Sequence, residues 1–335
     1  MITMDIIAKK AGVSKAAVSY AFSGSSKISK ETREHILKIA DEYNYVPNRS
    51  AQLLRRNKSR RIGLFIPRFS GSYYMYLIES IYMFLNSLDY QLDVHILRGD
   101  INDRINDIAG AVVDAAIVQE PFNDASAALK KLSGIMKERQ IPLVFLGCKK
   151  VCDYASYINM NNTAAISEIT DYLIATGHKK IIFIGNIYAT DDYERYNGFM
   201  QSMGHNKIPI MDIWKYKDDD PNEWAGYQLV KSKFPNLKEN PDAFCCSNDP
   251  LAIGCIKALL SFGYSVPKDI SVTGFDNLIP ANLFDQKLTT FSNPVSKIGK
   301  IAAEEAVRRI EQGEKNNVIV VDSEFVKGDT VAVRG

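Results

Sequence analysis

Apolar residues in the first 45 positions recur every three or four places. Ile7, Ala8 and Ala11 make one such face after Thr3, and Val18 and Ala21 make a second after Ser14. Gly12 lies between them, where a tight turn needs a positive φ. Ser14 suits the N-cap of the second helix. Ala8 is small where two helices must cross, and Val18, ten residues later, can fill the space between them. Ile36, Ile39, Ala40 and Tyr43 mark a third helix, with Ser29 as its cap. Tyr45, Val46 and Pro47 end it, because proline disfavours helix in the residue before it. The spacing is that of a helix-turn-helix over residues 1–47.

From Ile62 the rhythm changes. Short apolar runs occur at Ile62–Ile66, Leu92–Leu97, Ala115–Val118, Leu143–Leu146, Lys180–Ile184, Ala243–Cys246 and Ile270–Phe275. They alternate with helical patterns near Tyr73–Leu88, Ala125–Arg139, Asn162–Thr176, Tyr193–Met203, Trp224–Phe234, Leu251–Phe262 and Ser296–Gln312. Such alternation predicts parallel sheets with crossover helices. The segment is too long for one small core, so two doubly wound α/β lobes are expected, with a ligand cleft at the carboxyl ends of their strands. The fold class is therefore an N-terminal all-α headpiece joined to an α/β body.

Charge sharpens this division. The net +2 of the 335 residues hides an uneven distribution. Residues 1–61 hold thirteen Lys or Arg against five acids, a net +8, which leaves −6 on the remainder. A basic head on a mildly acidic body points to a polyanion-binding module, although a solvated basic face would have the same composition. Apolar residues are 46% and charged residues 24%, as in globular chains. No apolar run approaches the ~20 residues that span a bilayer. Residues Met1 to Asp5 show no basic region followed by an apolar stretch, which argues against a secretory signal, so a cytoplasmic location is expected. Cys148, Cys152, Cys245, Cys246 and Cys255 are odd in number, which favours free thiols over disulfides or a zinc site.

The second helix begins with Lys15, Ala16 and Ala17, followed by Ser19 and Tyr20. In a helix-turn-helix these face the major groove. Lys15 can donate to guanine O6 or N7, and Ala16 or Ala17 can touch a thymine methyl. Ser14 and Ser19 suit phosphates. Helix propensity alone also accounts for the two alanines. The stretch 48–61 is too basic for a core helix and too short to be stable alone, as expected of a hinge that orders on DNA. Leu54 within it can wedge between base steps, or can pack with Leu53 on the protein.

Catalytic machinery finds no support. No Gly-x-Gly-x-x-Gly, Walker loop or Gly-x-Ser-x-Gly elbow follows a predicted strand. His35, His95, His178 and His205 are scattered, and Asp218, Asp219 and Asp220 before Pro221 read as a solvated loop. No cofactor and no metal are expected, and the chain is not read as an enzyme.

These features resemble the lactose/galactose-repressor (LacI/GalR) family of bacterial transcription regulators across essentially the whole chain. In the head the resemblance rests on Ala8, Ala11-Gly12-Val13-Ser14, Val18-Ser19, Ile28-Ser29, Thr32-Arg33, Tyr45, Pro47-Asn48, Ala51 and Leu54. In the body it rests on Ile62-Gly63-Leu64, Gly177-His178, Ile184-Gly185, Arg195, Gly198-Phe199, Asn248-Asp249, Ala252, Gly254, Val272–Asp276 and Leu288-Thr289-Thr290.

The resemblance implies a homodimer on a pseudo-palindromic operator. DNA contacts would come from Ser14, Lys15, Ala16, Ala17, Ser19, Tyr20, Ser29, Asn48, Arg49, Ala51 and Leu54. Residues 62–335 would form a periplasmic-binding-protein-like effector and dimerisation domain. Its first lobe would take about 62–160 and 292–318, and its second about 161–291 and 319–335. No heptad-like tail for tetramerisation follows, so a dimer is expected. The effector, a sugar or sugar derivative by the family's habit, would meet Tyr73, Tyr74, Arg195, Asn248, Asp276 and Asn293. Tyr73 and Tyr74 can instead pack at a helix start, and Asp276 can cap a strand end. The chain departs from the family at Arg68, where relatives commonly have an acid. It departs again at Asn161, where they have Asp, which implies fewer acceptors in the cleft, and at Ile6, which replaces a frequent Asp. The rival readings are a solute-binding receptor without DNA function, a regulator governed by a protein corepressor, and an enzyme on a similar fold.

Overall fold

A computed structural model describes residues 2–23, 25–45, 59–69, 71–119, 126–186, 190–216, 222–277, 286–313 and 316–334. The chain divides into two units, Met1–Ser59 and Arg60–Gly335.

The first unit contains α1 (Met4–Lys10), α2 (Lys15–Ser23) and α3 (Lys30–Glu42). Each begins on a hydroxyl cap. Thr3 Oγ1 accepts from the Ile6 amide, Ser14 Oγ from Ala17 at 3.1 Å and Ser29 Oγ from Thr32 at 3.1 Å. Ile7, Val18 and Ile36 meet in a core closed by Ala8, Ala11, Ala21 and Ala40. Gly12 has φ +64° and open space around the site of a Cβ, so the position demands a left-handed backbone rather than a small side chain. Of the hinge expected over 48–61, residues up to 58 lie outside the described part of the chain. Arg60 and Arg61 belong to the second unit instead. Arg61 opens the first strand and pairs with Asp93 at 3.0 Å, and the Arg60 guanidinium covers the Tyr90 ring.

The second unit holds two parallel sheets. The first orders β2 (Gln91–Ile96), β1 (Arg61–Ile66), β3 (Ala115–Gln119), β4 (Leu143–Leu146), β5 (Ser156–Met160) and β11 (Val318–Val321) from edge to edge. One face packs on α4 (Ser72–Ser87) and α11 (Val295–Gln312). The other packs on α5 (Ile101–Gly110) and α6 (Ser126–Glu138). Strands covered on both faces read as nearly continuous apolar runs, and every residue of β3 and β4 is buried, with Gln119 at the end of β3 the one polar member.

The second sheet orders β7 (Asp212–Lys215), β6 (Ile181–Gly185), β8 (Ala243–Cys246) and β9 (Ser271–Thr273). It is flanked by α7 (Asn162–Ala175) and α8 (Thr190–His205) on one side. On the other lie α9 (Glu223–Lys233) and α10 (Asp249–Ser261). The two-stranded antiparallel ribbon of β10 (Thr290–Ser292) and β12 (Glu324–Val326) lies where the chain crosses between sheets. Because β11 pairs with β5 over residues 318–321, the last return crossing falls after Val321, not at the expected 318/319 boundary.

The apolar runs of the sequence correspond to strands within a residue or two; the last overshoots most, because Gly274 and Phe275 lie beyond the end of β9. Elements with few apolar residues escape the pattern. α5 is one; it is nucleated by a capping box in which Asp100 and Asp103 exchange backbone hydrogen bonds. The edge strand β7, with Asp212 and Lys215 exposed, is another. All five cysteines are free thiols; four are buried and Cys152 is half-buried.

Candidate functional site

The residues expected to act lie on two surfaces. On the head, Ser14, Lys15, Ala16 and Ser29 are exposed, and Ala17, Ser19 and Tyr20 are half-buried along α2. The Ser14 and Ser29 oxygens already accept cap hydrogen bonds, which leaves their O–H groups as donors. Ser29 Oγ also meets Thr32 Oγ1 at 2.9 Å. Lys15 reaches across to Asp5 at 2.7 Å. The Lys27 ammonium sits 5.3 Å over the Tyr20 ring. Asn48, Arg49, Ala51 and Leu54 lie outside the described residues.

In the body, a cleft opens at the carboxyl ends of the strands, at the topological position where open α/β sheets bind ligands. Tyr73, Gly147, Asn162, Asp191, Arg195 and Asn293 contribute polar or close-packed walls, and Leu146, Ile158, Met160 and Ile298 an apolar floor. The lobes approach closely here. A Cβ at Gly147, at the end of β4, would lie 3.4 Å from both carboxylate oxygens of Asp191 at the start of α8.

Arg195 organises the second-lobe side. It projects from α8 and is only 6% exposed. Its Nε donates to Asn162 Oδ1 at 3.0 Å, its Nη1 to the Ser247 carbonyl at 2.7 Å, and its Nη2 faces Asp276 Oδ1 at 3.4 Å. The guanidinium lies 3.9 Å over the Phe275 ring centroid, and Asp192 Oδ1 stands 3.8 Å from Nη1. Burial works against the charge, but Asp276, Asp192 and Asp191 outweigh it and hold the guanidinium's pKa up. Asp192 is itself fixed by the Tyr216 hydroxyl at 3.0 Å and the Asn186 amide at 3.2 Å.

Asp276 stands behind the guanidinium. Burial pushes its carboxyl up, and Arg195 and Asn293 pull it back only in part. Its φ of +103° is left-handed for a non-glycine residue. The backbone holds it there through Asp276 N to Phe291 O at 2.8 Å and Asn293 N to Asp276 O at 3.2 Å. Asn293 Nδ2 donates to Asp276 Oδ1 at 3.0 Å, while Asn293 Oδ1 is buried and has no hydrogen-bond partner among the described residues.

Tyr73 lines the cleft and donates from its hydroxyl to Gln119 Oε1 at 3.2 Å. Tyr74 packs edge-on against Tyr73 and on the first-lobe core, and is not among the cleft-lining residues. Asn248 spends its carbonyl oxygen as the N-cap of α10, accepting from Leu251 at 2.9 Å. Asn161, whose identity implied a loss of acceptors, caps α7 through Ala164 N; the cleft draws acceptors from Asp191 instead. Asn162, Asp191, Asp192 and Gln119 are the residues that sequence reasoning missed. Asp192 was findable, since an acid three residues before Arg195 shares its helix face.

Residues 3–48 match the lacI family of bacterial regulatory proteins, and residues 170–331 match a periplasmic binding protein-like domain. The chain thus joins a lacI-family regulatory domain to a periplasmic-binding-protein-like domain. Among similar proteins, the HTH-type transcriptional repressor PurR of Vibrio vulnificus is 28% identical over 337 residues, covering 99% of each chain. A lac repressor dimer bound to operator and the anti-inducer ONPF has the same fold, with a TM-score of 0.88 at 22% identity over 99% of each chain. A LacI family transcriptional regulator from Enterococcus faecium with bound ribose aligns over 82% of this chain and 100% of its own, with a TM-score of 0.72 and 20% identity. Within the described residues, no helix is long and apolar enough to cross a membrane.

Proposed function

We propose that this protein is an effector-responsive transcriptional repressor that binds a pseudo-palindromic operator as a homodimer. One observation carries the reading: a single chain joins a +8 head, whose α2 exposes Lys15 and Ala16, to a cleft built around a buried arginine. The head supplies phosphate neutralisation and α2 meets base edges; Ser14, Ala17, Ser19, Tyr20, Ser29, Asn48, Arg49, Ala51 and Leu54 complete the DNA contacts. The protein acts by binding rather than by catalysis, and it acts in the cytoplasm.

The effector occupies the cleft. Arg195, Asp276 and Asn293 face its hydroxyls, directly or through each other, and Tyr73 supplies a flat wall. Acceptors such as Asp191 and Asn293 Oδ1, above an apolar floor, suit a polyhydroxylated ring. The ribose held by the Enterococcus faecium neighbour supports a sugar-like ligand. Asn248 and Tyr74 act from behind, by fixing α10 and Tyr73. The effector works only through unequal affinity for the DNA-competent and DNA-incompetent arrangements of the lobes. Dimerisation uses the apolar face on which α4 leaves Met75, Tyr82 and Met83 exposed beside Val94 and Ile96 of β2.

The test combines operator selection with ligand screening on the full chain. Selection from random duplexes should enrich a pseudo-palindrome; failure to enrich any sequence overturns the DNA reading. Thermal unfolding against sugars, sugar phosphates and nucleobases should reveal a ligand, because at 100 times its Kd a ligand stabilises by about 2.7 kcal/mol. A ligand that shifts unfolding and changes affinity for the selected duplex supports the reading, and no shift across the panel counts against the cleft as a sugar site.

A further inference from the structure

The pair formed by Asp5 and Lys15 carries an inference that rests on α2 meeting DNA but goes beyond that reading. Lys15 is the first residue of α2, and its Nζ stands 2.7 Å from Oδ2 of Asp5, in the first turn of α1. The side chains are 49% and 67% exposed, so the contact contributes little to folding. Its position matters more. A helix N-terminus carries the positive end of the helix dipole, where a lysine is unfavourably placed. The first turn of α2 has no acid of its own. Asp5 provides the countercharge from α1, across the turn centred on Gly12. Tyr45, at the end of the head, senses both charges: burial chiefly raises its pKa, Lys15 lowers it and Asp5 raises it.

A carboxylate and a backbone phosphate are alternative partners for the same ammonium. We propose that Asp5 determines DNA specificity by holding Lys15 away from backbone phosphates and releasing it only to base-edge acceptors in the major groove. Guanine offers O6 and N7 together, which reward displacement of Asp5. A non-specific duplex offers phosphate, which must approach an anionic side chain to gain the same lysine. Asp5 therefore weakens non-specific binding more than operator binding, and it does so as a positioning residue acting through Lys15.

The experiment measures binding of the full chain to a random-sequence duplex and to the duplex that the unaltered protein enriches, each across a salt series. Asp5→Asn should tighten binding to the random duplex and steepen its log–log salt slope by about 0.9 per head, as Lys15 takes up a phosphate. The enriched duplex should gain less, so the specificity ratio falls. In Asp5→Asn with Lys15→Ala the added steepness should vanish. A merely structural role for Asp5 would leave the salt slope unmoved and overturns the proposal. So does equal tightening on both duplexes, or steepening that survives loss of Lys15. If the unaltered protein binds neither duplex, the DNA reading itself falls and the proposal with it; the other outcomes leave that reading intact.

Discussion

Arg195 Nη2 and Asp276 Oδ1 face each other at 3.4 Å inside the second lobe, joined from the first-lobe side by Asn293. The contact ties α8 to the turn after β9 and to the crossing segment that leads into α11. A ligand that pulls on either partner therefore pulls on a segment connecting the lobes. Arg195→Ala would strand Asp276 and Asp192 as buried carboxylates. Breaking such a pair from one side costs about 3–5 kcal/mol, which should appear as a large fall in unfolding temperature. Arg195→Lys keeps the charge but loses the planar fork, so it should retain the fold and operator binding while losing the effector response. Titration of operator binding with effector checks this, and a preserved response would remove Arg195 from the ligand site.

Gly12 tests the head separately. Among the described residues, no heavy atom beyond its chain neighbours lies within 4 Å of the place where its Cβ would sit, so the cost of substitution comes from φ. Gly12→Ala should destabilise the head by roughly 1–2 kcal/mol, and Gly12→Asn by less, because asparagine tolerates the left-handed region. Hydrogen exchange of the amides over 3–45 reads this without interference from the body. Equal costs for Ala and Asn would show that the turn is not held in that region.

Glu305 on α11 is the clamp at the far edge of the first sheet. Its carboxylate accepts from Ser156 Oγ at 2.6 Å, from Arg308 Nη2 at 2.7 Å and from Asn317 Nδ2 at 3.2 Å. Burial raises its pKa, but Arg308 and Ser156 reverse this, and the net shift is downward. Glu305→Ala should cost about 1–3 kcal/mol through the donors left unpaired, with Glu305→Gln costing less. Urea unfolding of the two variants checks the order, and a reversal would show that charge, not hydrogen bonding, dominates there.

His178 makes stability depend on pH. Its ring is buried, with Nδ1 against the Leu173 carbonyl at 2.9 Å and Nε2 against Ser271 Oγ at 2.8 Å. Burial lowers its pKa below the ordinary 6.5. The unfolded chain therefore takes up the proton first as pH falls. The stabilisation is fully present above about 6.5 and is lost as pH falls toward the folded value. Asp242, lowered by the Lys179 and Lys180 amides and by Arg334 against the opposing effect of burial, adds a second loss at lower pH. His178→Asn should flatten the pH dependence of the unfolding midpoint just below 6.5, and an unchanged slope in that window would assign it to another group.

What the linear pattern determined is local. Periodicities near 3.6 and runs covered on both faces report one element each, and caps such as Ser14 and Ser29 act within three residues. Helix positions, the parallel class of the sheets and the basic head therefore followed from neighbours in the chain. Arg195 and Asp276 were expected only through the resemblance to a family, not from their neighbours. The partners of Arg195 were decided by the tertiary structure, because Asn162, Ser247 and Asp276 lie 33, 52 and 81 residues away and converge only when α7, β8 and β9 pack around α8. Asn248 reads as a ligand residue in sequence, yet its oxygen is drawn to an unpaired amide at the start of α10. The pairing of Lys15 with Asp5 likewise depends on the angle at which α1 and α2 cross, which packing of Ile7 and Val18 sets. Such contacts are selected by burial and by the need to satisfy every buried polar group, conditions that exist only once the chain has folded.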